Sequence, residues 1–295
     1  MVKTVSIPTL NDSTADFDQL FSLWSQANDY FENIRFDFSN CNFLRPNAVA
    51  FLGGLARLIE SRLGTAAFDW DTLADKVMTN LRQNGFAGTF GHPSPGWTGN
   101  SIPYREDTSR DVNGIMDYLE IYWLGRGWIN VSQRLRDAIV GHMWEIYNNA
   151  FEHSGSEIGV FSCGQHFPTY DELVLSVVDF GQGIPAKVRN FLSSDPRAEQ
   201  LTAAGCLCWA FQRGTTTKPR EEPGGLGLDL LKEFVRINQG KLEVYSNEGY
   251  ALIDKDGERF TNRTTSFEGT VFHITLRCDE NLYRFADETN GNMPF

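Results

Sequence analysis

Two polar residues one helical turn apart, Glu145 and Asn149, are the first candidates for chemistry in this chain. Residues at positions i and i+4 of a helix share a face, so both side chains point into the same neighbouring space. An amide oxygen is a hard ligand that suits Mg²⁺, which takes few protein ligands and binds substrate phosphates. A carboxylate one turn earlier can orient or deprotonate an attacking water. Taken alone, the pair is also typical of the solvated face of an amphipathic helix.

A second group of residues follows an apolar stretch that predicts a buried strand at 173–179. Asp179 ends this strand, and its carboxylate can accept a hydrogen bond from an exocyclic amine such as that of adenine. Gly181 and Gly183 follow, and they let the backbone approach a flat base without a side-chain clash. For this motif by itself, a simple turn after a strand is the alternative.

A third group, Gly224, Gly225 and Gly227, comes at the start of a helix predicted for residues 226–239. Free backbone amides and the helix dipole favour phosphate binding at such a place. The glycines also permit a lid, to which we assign residues 213–218, and a flexible loop is the alternative. Neither a dinucleotide fingerprint nor a Gly-x-x-x-x-Gly-Lys-Ser/Thr motif occurs in the chain.

The elements that must position these groups alternate along the second half of the chain. Ser132 is the predicted N-cap of a helix whose apolar residues recur at spacings of three and four up to Ala150. Strands are predicted at 158–162, 173–179, 241–246, 250–253 and 270–276. The order of helix, strands, helices and strands predicts an α+β domain with a mixed sheet covered by helices on one face.

The first hundred residues predict a separate α/β unit. Alternation predicts a strand at 33–39, and a helix of small residues follows at 48–60. A short strand at 68–70 and a helix at 73–84, which ends at Gly85, complete the unit. Residues 88–111 are rich in Gly, Pro, Ser and Thr, which predicts a linker or a long loop. A helix predicted at 113–125 begins the second unit.

Composition limits the class of protein. The 295 residues carry a formal net charge of −12, which argues against a free-standing nucleic-acid binder, because such binding depends on Lys and Arg. No apolar run approaches the roughly 20 residues of a membrane span. The first residues lack the apolar region of a signal peptide, and the five cysteines form an odd, scattered set. We therefore expect a cytoplasmic protein of about two domains with reduced thiols.

Together and in this order, the three groups resemble the GHKL (Bergerat) superfamily of ATP-binding domains, which includes gyrase, the Hsp90 chaperone, histidine kinases and MutL. The segment from Glu145 to His153 resembles the N box, in which the Asn binds Mg²⁺ and the Glu often serves as base. Its Asn-Ala-x-x-His-Ser form is closest to histidine kinases and anti-sigma serine kinases. By this resemblance Asn149 is the metal ligand and Glu145 the catalytic residue.

The other motifs carry the same resemblance. The segment from Asp179 through Gly181 to Gly183 resembles the G1 box, whose Asp binds the adenine amino group. Gly225 and Gly227 resemble the G2 box at the end of the lid, and Thr270 resembles the residue of the closing strand that supports the adenine site. The resemblance implies an α+β sandwich at 112–280, with ATP bound between helix and lid.

The N-terminal unit resembles, over residues 36–48, a STAS-type anti-sigma-antagonist domain. Members that are phosphorylated carry a serine at the start of the following helix, where this chain has Arg45, Pro46 and Asn47. The resemblance therefore implies a docking or regulatory module and not a phosphoacceptor. Any other small α/β domain is the alternative.

These expectations give a STAS-like α/β domain at 1–105, the GHKL domain at 112–280 and a tail at 281–295. Three functions stay open: a slow Mg²⁺-dependent ATPase switch, a serine or histidine kinase that acts on a separate protein, and a nucleotide sensor or scaffold without turnover. The leading hypothesis is the ATPase switch. We expect a protein partner at the N-terminal domain, and the resemblance also allows a homodimer.

Overall fold

The computed structural model describes residues 1–212 and 228–289, which form two sheets. The N-terminal unit has a three-stranded parallel sheet in the order β1-β2-β3. Its elements are β1 (Val2–Ser6), α1 (Thr14–Gln26), β2 (Asn33–Asp37), α2 (Pro46–Ser61) and β3 (Thr65–Asp69). Parallel strands need a crossover, which α1 and α2 supply. The predicted α/β character of this unit is confirmed, and its likeness to a STAS domain stays a prediction.

The segment between the units is more ordered than its composition predicted. After α3 (Asp75–Gln83) and α4 (Phe86–Thr89), the chain forms β4 (Ser101–Asp107). The prediction of a linker or loop at 88–111 is therefore wrong for β4. Pro103 lies within β4, which is an edge strand of its sheet, where a proline is tolerated, and the register shifts between Ile102 and Arg105.

The second sheet has seven strands in the order β4-β5-β6-β10-β7-β8-β9. Its further strands are β5 (Val160–Phe167), β6 (Glu172–Asp179), β7 (Lys241–Ser246), β8 (Gly249–Asp254), β9 (Gly257–Asn262) and β10 (Thr270–Arg277). Each pairing is antiparallel, so the prediction of a mixed sheet is wrong. Short turns join β5 to β6 and β7 through β9 as hairpins, which antiparallel strands allow. β10 follows β9 in sequence but lies between β6 and β7 in the sheet.

Helices cover one face of this sheet. They are α5 (Val112–Asp117), which continues as a π-helix (Tyr118–Leu124), then α6 (Gln133–His153), α7 (Ile184–Phe191), α8 (Ala203–Ala210) and α9 (Asp229–Ile237). Ser132 caps α6 as predicted, since its Oγ accepts the Leu135 N–H at 3.2 Å. Within 1–212 and 228–289, no helix combines the length and the apolar character that a membrane crossing requires.

The opposite face of the sheet is covered by the N-terminal unit. Phe17 on α1 and Phe51 on α2 belong to one buried core with Val178, Phe180 and Tyr245 of the second unit. Alternate residues of β6 point to opposite faces, so the strand is buried between α2 on one side and the second unit's own helices on the other. The expectation that helices cover only one face is therefore wrong, because the two units share a core.

Candidate functional site

Asp179 lies at the carboxyl end of β6 and is only 6% exposed. Its Oδ1 accepts the Gly181 N–H at 3.1 Å, and its carboxyl is also hydrogen-bonded to the Thr270 side chain. Burial raises the pKa of Asp179 to about 7, against these two hydrogen bonds, which lower it. The carboxyl is thus held in one orientation at the strand end and changes its charge near neutral pH.

Thr270 reaches Asp179 because β10 lies between β6 and β7. Thr270 is paired with Asp179 on one side and with Ser246 on the other. Ser246 Oγ is 3.0 Å from Thr270 Oγ1 and 3.0 Å from Gly269 O, and it accepts the Ile184 N–H at 2.8 Å. Ser246 therefore joins the end of β7 and the start of β10 to the start of α7, a role that the sequence analysis missed.

Gly181 and Gly183 are required by close packing within the protein. A Cβ on Gly181 would lie 2.2 Å from Ser154 O, at the end of α6. Gly183 has a φ of +80°, and a Cβ there would lie 2.5 Å from Asn247 Oδ1. Gln182, between the two glycines, is held on both sides of its backbone. Its N–H donates to Ser154 O at 2.7 Å, and its O accepts from Asn247 Nδ2 at 3.0 Å.

These contacts bring the end of α6 to the loop after β6. Glu145 and Asn149 lie on one face of α6 and are both half-buried. The Asn149 Nδ2 atom is buried without a hydrogen-bond partner in the part of the chain that the structure describes. The two ends of an amide exchange by a half turn, so this side chain can present an oxygen or a nitrogen to a ligand.

The residues present fit Mg²⁺ only as part of a nucleotide complex. Among residues 1–212 and 228–289, no group of three or more His, Cys, Asp or Glu is arranged to hold a metal. A cation beside Asn149 would therefore take most of its ligands from phosphates and water, which is the usual preference of Mg²⁺.

Positive charge lies near the end of α6. Arg110 Nη1 is 3.1 Å from Glu152 Oε1, and its guanidinium is 5.6 Å from the centre of the Trp144 ring. Burial lowers the pKa of Lys187 on α7, against the nearby charge of Glu152, which raises it. Glu152 belongs to the segment from Glu145 to His153, so both cations are close to the predicted N box. The sequence analysis missed Arg110, because it lies in the segment interpreted as a linker.

Two of the predicted site residues, Gly225 and Gly227, fall outside the described residues, together with Gly224 and 213–218. The assignment of a lid and a G2 box to this segment stays a prediction.

Comparison with known proteins agrees with the arrangement of α6, β6 and β10. Residues 136–280 match the family model described as "Histidine kinase-, DNA gyrase B-, and HSP90-like ATPase". A search of the curated proteins finds no match. The matched segment includes Glu145, Asn149, Asp179 and Thr270, and it leaves the N-terminal unit and β4 outside. Residues 136–280 are thus a GHKL-type ATP-binding domain.

Proposed function

We propose that this chain binds ATP with Mg²⁺ between α6, the β6–α7 loop and β10, and that it is a slow ATPase that works as a conformational switch. The observation that carries the proposal is the buried Asp179 carboxyl, oriented by Gly181 and Thr270. Near it, α6 carries the Asn149 Nδ2 atom, which is buried and has no hydrogen-bond partner among residues 1–212 and 228–289.

Asp179 would select the base. Gly181 already occupies Asp179 Oδ1, so the carboxyl is oriented before a ligand arrives. The exocyclic amine of adenine is a donor, whereas guanine has an acceptor oxygen at the equivalent position. An ionised Asp179 therefore favours ATP over GTP, because two acceptors facing each other at a buried site leave both unpaired.

The phosphates would lie along α6. Asn149 would hold Mg²⁺, which would neutralise part of the phosphate charge. Glu145, one turn earlier on the same face, would orient a water and accept its proton. Arg110 and Lys187 would add positive charge beside the N box, which a triphosphate needs in a chain of net charge −12.

Titration calorimetry of ATP with and without Mg²⁺ tests the binding part. Asp179→Asn should weaken ATP binding by about 1–3 kcal/mol, because an amide presents a donor where the base needs an acceptor. Asp256→Asn is the matched control, since Asp256 is exposed in the turn between β8 and β9. Equal ATP affinity of Asp179→Asn and the parent would refute the assignment.

Phosphate release tests the switch. Glu145→Ala should bind ATP as the parent does and release phosphate more slowly, because only the step that needs a base is affected. Transfer of labelled phosphate to a separate protein would favour a kinase instead. Saturable ATP binding with neither release nor transfer would favour a sensor without turnover.

A further inference from the structure

The Asp179–Gly183 loop, which includes Phe180, packs against α2 of the N-terminal unit. A Cβ on Gly54 in α2 would lie 2.3 Å from Phe180 Cε2 and 2.7 Å from Phe161 Cδ2. Since real Cβ atoms do not approach so closely, the Phe180 ring occupies the space that any larger residue at 54 would need. The contact is between the backbone of α2 and a ring whose neighbours in sequence are Asp179 and Gly181.

Phe180 has little room to move. It is 7% exposed, and its ring centre is 5.1 Å from that of Phe51, 6.0 Å from that of Phe267 and 6.2 Å from that of Phe161. Phe51 is on α2, so this helix holds the ring at two adjacent positions. A shift of α2 must therefore move Phe180 and the backbone on either side of it.

α1 supports the Asp179–Gly183 loop from another side, through Phe267. The Phe267 ring is stacked on Phe21 of α1, with 4.5 Å between ring centres and 13° between planes. Phe267 O accepts from Asn247 Nδ2 at 3.4 Å, and the same Nδ2 donates to Gln182 O at 3.0 Å. Two residues after Phe267, a Cβ on Gly269 would lie 2.2 Å from Asp179 O. The two segments that pack beside Asp179, one with Phe180 and one from Phe267 to Gly269, are thus both supported by the N-terminal unit.

We infer that the N-terminal unit is a positioning part of the nucleotide site, and that the contact of α2 at Gly54 with Phe180 sets the affinity for the adenine base. The inference rests on the proposed function and gives the N-terminal unit a role in it: a displacement of α2 changes ATP affinity without any contact between α2 and the nucleotide. Phe180 and Gly54 act through Asp179, and neither is a catalytic residue.

Gly54→Ala and Gly53→Ala form a matched pair of variants. A Cβ on Gly53 would lie 2.0 Å from Tyr104 Oη, so both changes crowd the same helix, but Tyr104 is in β4, away from Asp179. Gly54→Ala should raise the Kd for ATP about tenfold relative to Gly53→Ala, which is about 1.4 kcal/mol. Phe180→Leu added to Gly54→Ala should restore part of the affinity, because the smaller side chain gives room for the new methyl group.

Hydrogen exchange without nucleotide separates this inference from the proposed function. In Gly54→Ala, amides of residues 180–184 should exchange faster than in the parent, and in Gly53→Ala they should not. If the two variants show this pattern and the parent binds no ATP, only the proposed function is overturned. Parent-like exchange in Gly54→Ala would overturn the inference, as would parent-like ATP affinity in that variant where the parent binds ATP.

Phe51→Leu provides the same test if both glycine variants fail to fold. It removes the ring that packs against Phe180 and Phe267 and keeps α2 apolar. The control is Ile59→Val at the far end of α2, where the side chain lies near Gly64. Faster exchange at 180–184 in Phe51→Leu alone supports the inference, and equal exchange in the two variants contradicts it.

Discussion

Replacing Asp179 by Asn tests the electrostatics of the site without any nucleotide. Burial raises the pKa of Asp179 from 3.8 to about 7. Between about pH 4 and pH 7 the folded chain keeps this proton, whereas the unfolded chain has lost it. Because the folded state then binds more protons than the unfolded state, the free energy of unfolding falls as the pH rises through this range.

The size of this loss follows from the two pKa values. A difference between 3.8 and about 7 corresponds to about 4 kcal/mol, at about 1.36 kcal/mol for each pH unit. Asn has nearly the same shape as Asp and stays neutral. Asp179→Asn should therefore be more stable than the parent at about pH 8, by up to about 4 kcal/mol, while it binds ATP less well. We therefore expect stability and nucleotide binding to oppose each other at this residue.

Urea unfolding followed by tryptophan fluorescence measures the effect. The stability gained by Asp179→Asn over the parent should be about 2–3 kcal/mol larger at about pH 8 than at about pH 5. Comparison of the two chains cancels the titration of the other acidic residues, and Asp256→Asn controls for the loss of one surface charge. A gain that does not change with pH, or a parent that is the more stable at about pH 8, would refute the reasoning.

Two further predictions concern the site and the contact between the units. If the adenine amine pairs with the ionised Asp179 as proposed, ATP affinity of the parent should rise up to about tenfold per pH unit as the pH approaches 7 from below. ATP titrations of Asp179→Asn should lack this pH dependence. Arg45 is 12% exposed and bridges Asp12 at 2.8 Å and Glu172 at 3.1 Å, so Arg45→Met should lower the free energy of unfolding by about 2–3 kcal/mol. Arg35→Met, at an Arg that is 57% exposed, should change it by less than about 1 kcal/mol in the same urea assay, and equal losses would contradict the argument.

Local patterns predicted the elements that carry the known motifs. β6, β7 and β10 lie within one residue of their predicted bounds. β6 and β10 are largely apolar, β7 begins with alternating polar and apolar residues, and turn signals flank all three strands. The helix after Ser132 has its predicted cap, and Asp179 ends its strand as expected. In such segments the hydrophobic period and the turn residues agree, so little depends on distant parts of the chain.

Other features depend on contacts that no local pattern contains. Ser246 and Asn247 are ordinary polar residues in sequence, and they meet the Asp179 loop only because β10 lies between β6 and β7. The shared core of the two units is also non-local. α1 is different, since its capping box from Ser13 to Asp16 is a local signal that could have predicted its start.

The shared core gives a reason why a switch would need both units. In the free protein, an ionised Asp179 is a buried charge, and a base that donates to it removes part of that penalty. ATP would therefore stabilise the loop that α2 packs against. Linkage is reciprocal, so the factor by which a protein bound to the N-terminal unit changes ATP affinity must equal the factor by which ATP changes the affinity for that protein. If the affinity for such a protein is the same with and without bound ATP, α2 is excluded as the element that links the two sites.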